Sequence, residues 1–386
     1  MTHNRDNDIP GRAPSGDDSS PDAPRGWRLL WWSLAVATGS LLVSLSFFSP
    51  RLWAFTEPQP GSTYWDRGLQ FVAQVDAPLG APLGDGAMTW RLAPVVLAKT
   101  LGLHGHRACV VPWLGLFALL AATAALARRR GLDATTAALH TALAATTAAA
   151  TTVTGWLGMN DAWFALALLT VAWMPGPTAL VLACAIGPWI DERFLFALPL
   201  ALWLRLQDTQ RREKTAVTLT SATACVLAYA GVRLANPFAF DTGAVPKYWH
   251  IITDHGVKNW LPWVSLGWFM SLRAAWVLVV AALVTPASLF PRRLDWVGLG
   301  LMLAAGGVVT VLASDSGRTP TMFFPLLLLG ALRLVETHGP DVTRRLILVL
   351  LAANLLLPAM HVTAKHGDII NSLPIEIVRL LQQPKP

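Results

Sequence analysis

Four acid-bearing stretches interrupt an otherwise apolar chain: Asp66 in Tyr64-Trp65-Asp66-Arg67, Asp161 after Met159-Asn160, the triplet Asp191-Glu192-Arg193, and Asp315-Ser316-Gly317-Arg318. Carboxylates in such places deprotonate hydroxyls or hold divalent cations, and arginine offers a planar fork that matches phosphate. Asp66 is the candidate base, since partial burial beside a membrane raises a carboxylate's proton affinity toward the working pH. An ion pair with Arg67 is the plainer alternative. Asp161 opens an apolar run, where a carboxylate caps free helix amides, holds a metal or meets substrate. Asp191, Glu192 and Arg193 crowd three charges between two apolar segments, where each is expensive, and pairing the arginine with one acid leaves the other over. Arg67, Arg193 and Arg318 are candidate phosphate ligands, positioned to stabilise charge on a leaving phosphate. A snorkelling turn residue is the bland account of Arg318, and snorkelling to the outer interface that of Arg273. His250, His255 and Lys258, near Asp241, Lys247 and Asp254, are weaker metal or phosphate candidates. No Gly-rich phosphate loop, zinc-protease helix or nucleophile elbow is present.

The elements that must position these residues are membrane helices. Apolar residues make up 54% of the chain and charged residues 14%, which places it among integral membrane proteins. Spans of about 20 apolar residues close their own backbone hydrogen bonds only as helices, so the fold class is all-α. A net charge of +7 would suggest nucleic acid in a soluble protein. Here Arg128-Arg129-Arg130, Arg211-Arg212-Glu213-Lys214, Arg292-Arg293 and Arg344-Arg345 sit at span ends facing anionic headgroups, and no nucleic-acid partner is expected. Cys109, Cys184 and Cys225 lie apart in apolar runs and read as small core residues.

Those basic clusters mark cytoplasmic ends, and the acid-bearing stretches fall between them, on the outer face. Residues 1–26 read as a disordered cytosolic tail, rich in Asp, Pro, Gly, Ser and Arg. Trp27 to Ser49 is longer than a signal h-region and reads as a retained helix. The membrane domain covers 27–365, with outer loops at about 50–107 and 235–262, and a short outer tail fills 366–386. Spans are expected at about 28–49, 108–127, 133–157, 162–174, 178–190, 194–206, 215–234, 273–290, 296–314, 320–335 and 345–362, about eleven in all. The helices at 162–174 and 178–190 are short and turn at Met174-Pro175-Gly176-Pro177, as the wall of an outward groove would. Trp90 to Leu103 suits an interfacial helix or a short buried one.

A first span followed by a long outer loop bearing Asp66, further acids at Asp161, Asp191 and Glu192 in later outer loops, and Ser314-Asp315-Ser316-Gly317-Arg318 before Met322-Phe323-Phe324-Pro325 together resemble the GT-C superfamily of polytopic membrane glycosyltransferases in bacteria. The resemblance implies a sugar passed from a polyprenyl-phosphate donor to a glycan, lipid or protein acceptor on the outer face of the cytoplasmic membrane. It implies Asp66 as catalytic acid or base, Asp161, Asp191 and Glu192 as assisting acids, a divalent cation (Mg or Mn) on Asp66 and Asp161, and Arg318 against the donor phosphate. The chain departs from the family in having no paired acid at Asp66 and no sizeable soluble C-terminal domain. A polysaccharide polymerase or ligase, leaning on the 235–262 loop, and a lipid-linked oligosaccharide transporter are the alternatives. Transport would line a path through the spans with charge, whereas these charges gather at helix ends.

Overall fold

A computed structural model describes residues 26–52, 63–79, 89–207, 215–235, 261–285, 292–312, 315–363 and 366–382. Five helices among them are long and apolar enough to cross a membrane: Gly26–Phe47, Gly105–Arg129, Thr215–Ala235, Leu261–Val284 and Thr319–His338. In chain order the α-helices are α1 (Gly26–Phe47), α2 (Thr63–Asp76), α3 (Leu92–Thr100), α4 (Val110–Arg129), α5 (Ala134–Ala144), α6 (Ala148–Gly155), α7 (Asp161–Trp173) and α8 (Pro177–Ile190). There follow α9 (Arg193–Gln207), α10 (Thr215–Ala235), α11 (261–272), α12 (Trp276–Val284), α13 (Arg292–Leu312), α14 (Phe324–His338), α15 (Pro340–Leu356) and α16 (Leu373–Gln382).

Helix occupies each stretch expected to span, but several stretches are short or interrupted. The expected span at 133–157 is two helices, α5 and α6, broken at 145–147. The one expected at 345–362 ends at Leu356, because the chain then turns into an antiparallel hairpin of β1 (Ala359–Val362) and β2 (Gly367–Ile370). The C-terminal stretch is likewise not a plain tail. β2 pairs His361 with Asp368, Ser49 donates its backbone N–H to the Asn371 carbonyl, and α16 buries Glu376, which accepts from Asn371 Nδ2 at 2.6 Å. In α3, Pro94, Val95 and Ala98 are buried while Val96 stays exposed, so the helix is packed on one side only.

Short helices leave their last carbonyls unsatisfied in apolar surroundings, where each such group is costly. Three buried arginines answer this. Arg205 on α9 donates to the carbonyls of Val171, Met174 and Gly176 at the end of α7, each at 2.9 Å. Arg333 on α14 donates to Ala282 and Thr285 at the end of α12. Arg273 donates to Asn354 and Leu357 at the end of α15, both at 3.1 Å. A cation at a helix C-terminus also complements the helix dipole. Arg273 is 1% exposed, so it caps a helix within the protein and does not snorkel to an interface. Its backbone, with φ at 51°, breaks the 261–284 helix. Asn354 satisfies that break, accepting from the Ala274 N–H and donating to the Leu272 carbonyl, and it also donates to Thr146 at the α5–α6 interruption.

One apolar core joins α4, α7, α9, α12 and α14. The α12–α14 contact is close because Gly330 lets the Leu278 carbonyl approach where a Cβ would stand. Small residues at helix contacts serve this purpose in membranes.

Candidate active site: a buried arginine–carboxylate network

The expected outer segments meet at one end of the helices. Asp161 opens α7, Asp191 sits between α8 and α9, Arg193 opens α9, and Asp315 to Arg318 form the turn ahead of the 3-10 segment Thr319–Phe323. The antiparallel returns of α7, α8 and α9 force this meeting, since each of two short connections carries the chain back to the same end. Met174 to Pro177 makes the opposite turn, with Gly176 at φ 90°.

Asp161 is fully buried and each carboxylate oxygen meets an arginine: Oδ1 accepts from Arg193 Nη2 at 2.8 Å and Oδ2 from Arg318 Nε at 2.8 Å. It does not cap its helix. Asn160 holds the cap position and makes no side-chain cap bond, so the arginines, not the helix amides, explain this acid. Asp191 takes a bidentate Arg193 fork, Nε to Oδ1 at 2.9 Å and Nη2 to Oδ2 at 2.8 Å, and it also accepts the Arg193 backbone N–H at 3.0 Å. The remaining Arg193 donor, Nη1, reaches the Arg318 carbonyl at 3.0 Å, and the guanidinium lies over the Phe164 ring at 5.0 Å. Arg318 completes its own set on Asp315 Oδ2 at 3.1 Å. Charge-assisted pairs of this geometry are the ones that repay desolvation.

Toward the rim, Arg91 grips Glu192 with Nε and Nη2 at 3.3 and 3.2 Å and stands 3.5 Å from Asp191. Burial alone would raise the Asp191 carboxyl, but Arg193 and Arg91 outweigh it and hold the group well below the usual carboxylate range. Burial would likewise lower Arg91, and Asp191 and Glu192 reverse it, keeping that guanidinium above its ordinary value. Side-chain exposure grades outward, from 0% at Asp161 through 15% at Arg91 and 21% at Asp315 to 25% at Glu192, so a ligand meets Arg91, Glu192 and Asp315 first.

The hairpin adds a histidine. His361 on β1 places Nε2 3.5 Å from Asp315 Oδ2 and lies against Trp156, the ring centroids 4.4 Å apart and the planes tilted by 42°. Gly317 donates to the Val362 carbonyl at 2.8 Å, fastening the hairpin to the turn. Arg91 and His361 are the two members that sequence reasoning missed. Arg91 lay inside a stretch read for its apolar pattern. His361 carried one usable signal, a polar residue three positions after Pro358 at the close of the last apolar run.

Of the sequence candidates, Asp161, Asp191, Glu192, Arg193 and Arg318 are thus brought together. Arg67 donates to Gln70 at 3.0 Å. The Arg67 carbonyl lies 2.6 Å from where a Cβ on Gly158 would be, with Gly158 at φ 75°, so the start of α2 packs on the loop leading to Asp161. The Asp66 side chain lies outside the described residues, as do His250, His255 and Lys258.

Both oxygens of Asp161 and of Asp191 accept from guanidinium groups. Among the described residues no three His, Cys, Asp or Glu side chains gather as ligands. Comparison with family models, curated proteins and solved structures finds no match.

Proposed function

We propose that the chain is a membrane glycosyltransferase that moves a sugar from a polyprenyl-phosphate donor to an acceptor at the end of the bundle where the acids and arginines gather. The observation that carries this is that α9, which opens with Arg193 of the network, also lines a long apolar cleft. The cleft, about 560 Å³, is lined by Leu195, Leu198, Leu202 and Trp203 of α9 together with α10 and α13 residues. From Leu195 to Leu206 it follows α9 for about 16 Å, roughly half the hydrocarbon thickness. A phosphate head with an isoprenoid tail has the matching polarity, and arginine's fork suits the phosphate.

In this proposal about eleven segments form the membrane domain, the N-terminus is cytoplasmic, and the network faces outward from a bacterial cytoplasmic membrane. Arg318, once a phosphate displaces Asp315 from it, would neutralise charge on the departing phosphate, the largest electrostatic demand of such a transfer. A Mg or Mn ion enters the proposal only through Asp66, and no step is routed through it. The acceptor's proton needs a base, for which Asp66 is the sequence candidate.

The test is transfer of labelled sugar from membrane polyprenyl-phosphate donors by wild type and Arg91→Lys at equal folded levels. Arg91 is at the rim, so lysine keeps the charge and the fold while losing the fork. Transfer by wild type with a weakened Arg91→Lys supports the reading. No wild-type transfer from any donor tested refutes it.

A further inference from the structure

We infer that His361 is the proton acceptor of this site, with Asp315 beside its Nε2 and Trp156 against its ring. The inference rests on the proposed transfer to a hydroxyl, and it assigns a base that the sequence does not nominate.

Two polar atoms at this corner are buried and make no hydrogen bond: His361 Nδ1 and Asp315 Oδ1. Buried polar groups are almost always satisfied, and an orphaned pair beside a charged network marks a place where a ligand or water belongs. The nearer acidic group to the imidazole favours one tautomer. Nε2 stands 3.5 Å from the Asp315 carboxylate, and in this proposal the neutral ring carries its hydrogen on that side and presents a lone pair at Nδ1. Trp156 packs against the ring at a tilt of 42° and has Arg51 over its own ring at 5.6 Å.

Asp315 Oδ2 also accepts from Arg318 Nη1, so one carboxylate ties the base to the guanidinium proposed to meet phosphate. In the step, the acceptor O–H proton passes to Nδ1 while the acceptor oxygen bonds to the anomeric carbon. The anomeric C–O bond to phosphate breaks, and its electron pair leaves on the phosphate oxygen toward the arginines. The imidazolium formed faces Asp315 and later releases its proton to water.

The charged groups acting on the ring are Asp315 and Arg318 from the turn, Asp161 from α7 and Asp368 from β2. Burial pushes His361 below its ordinary value, with Asp315 opposing, so the ring is neutral and able to accept a proton near pH 7.

The experiment is the pH profile of sugar transfer for wild type, His361→Gln, Asp315→Asn and Asp66→Asn in membranes holding equal folded protein. His361→Gln is expected to lose about 100-fold or more and to lack the acidic limb in what remains. Asp315→Asn should slow transfer and move the limb to lower pH, since the carboxylate raises the ring's proton affinity. A wild-type limb kept in His361→Gln but erased in Asp66→Asn overturns the assignment and leaves transfer itself standing. If His361→Gln does not accumulate, an unshifted limb in Asp315→Asn overturns it instead. No transfer by wild type removes the inference together with the function it rests on.

Discussion

Asp161→Asn should be among the most damaging isosteric changes in the protein. The carboxylate takes one 2.8 Å bond from each of two buried arginines. An amide keeps one acceptor oxygen and turns an NH2 toward the other guanidinium, so one bond is lost, two donors face each other, and a buried negative charge disappears. Arg193 retains Asp191 and Arg318 retains Asp315, which limits the damage. Removing one partner of a buried ion pair costs about 3–5 kcal/mol. At about 2 °C per kcal/mol in a large chain, the apparent Tm should fall by about 6–10 °C. Glu192→Gln is the control, because its side chain is 25% exposed at the rim and such pairs contribute about 1 kcal/mol or less. The assay is thermal unfolding of detergent-solubilised protein at fixed scan rate, followed by emission of the 18 tryptophans. Equal shifts in the two variants, or a shift under about 2 °C for Asp161→Asn, would refute the claim that the Asp161 pairings are sealed from solvent.

Three further outcomes follow from the fold. Arg205→Met preserves the side-chain stem but strands the carbonyls of Val171, Met174 and Gly176, at about 1–3 kcal/mol for each left unsatisfied, and the same unfolding assay reads it. Gly330→Ala drives a Cβ into the Leu278 carbonyl and should destabilise by about 1–3 kcal/mol or more, whereas Gly307→Ala has open space and should gain up to about 1 kcal/mol of helix propensity. Asp133 caps α5 through the Thr136 N–H, so Asp133→Ala should cost about 1 kcal/mol at neutral pH. Burial would raise that carboxyl, and its bonds to Thr136 together with Arg344 lower it on balance. The stabilisation is therefore present above about pH 4 and lost as pH falls through the depressed folded value, where wild type and variant should converge.

The helices and their ends were legible because apolar runs and their punctuation are local properties. Met174-Pro175-Gly176-Pro177 and Asp191-Glu192-Arg193 mark turns by composition alone, and α7, α8 and α9 begin and end within a residue or two of the positions read from them. The gathering of Asp161, Asp191 and Arg318 was foreseeable only as a shared face, since the arginine that claims each acid lies up to 157 residues away. The interruption at 145–147 left no Pro or Gly signal, and is held by Asn354 from another helix. Arg273 looked like a snorkelling span-end charge, although it satisfies carbonyls that only the tertiary arrangement exposes, as Arg205 also does. The hairpin that delivers His361 was hidden because its first strand continues an apolar run.

Charge arithmetic ties the network to the proposed base. Asp161, Asp191, Glu192 and Asp315 set four negative charges against three from Arg91, Arg193 and Arg318, so with His361 neutral the network stands at −1. A phosphate cannot simply add to it; it must displace an acid from an arginine. Asp315 is the cheapest to displace from Arg318, being part-exposed, held by a 3.1 Å bond and already provided with a second neighbour in His361. Freed from Arg318, its carboxylate acts on the imidazole without a competing cation, which raises the ring's proton affinity. The acidic limb of kcat, which reports the bound complex, should therefore lie at higher pH than the limb of kcat/KM, which reports the free enzyme. Asp315→Asn should collapse the difference between the two limbs. Coincident limbs in the wild type, or a kcat limb on the acid side, would show that phosphate does not take Arg318 from Asp315.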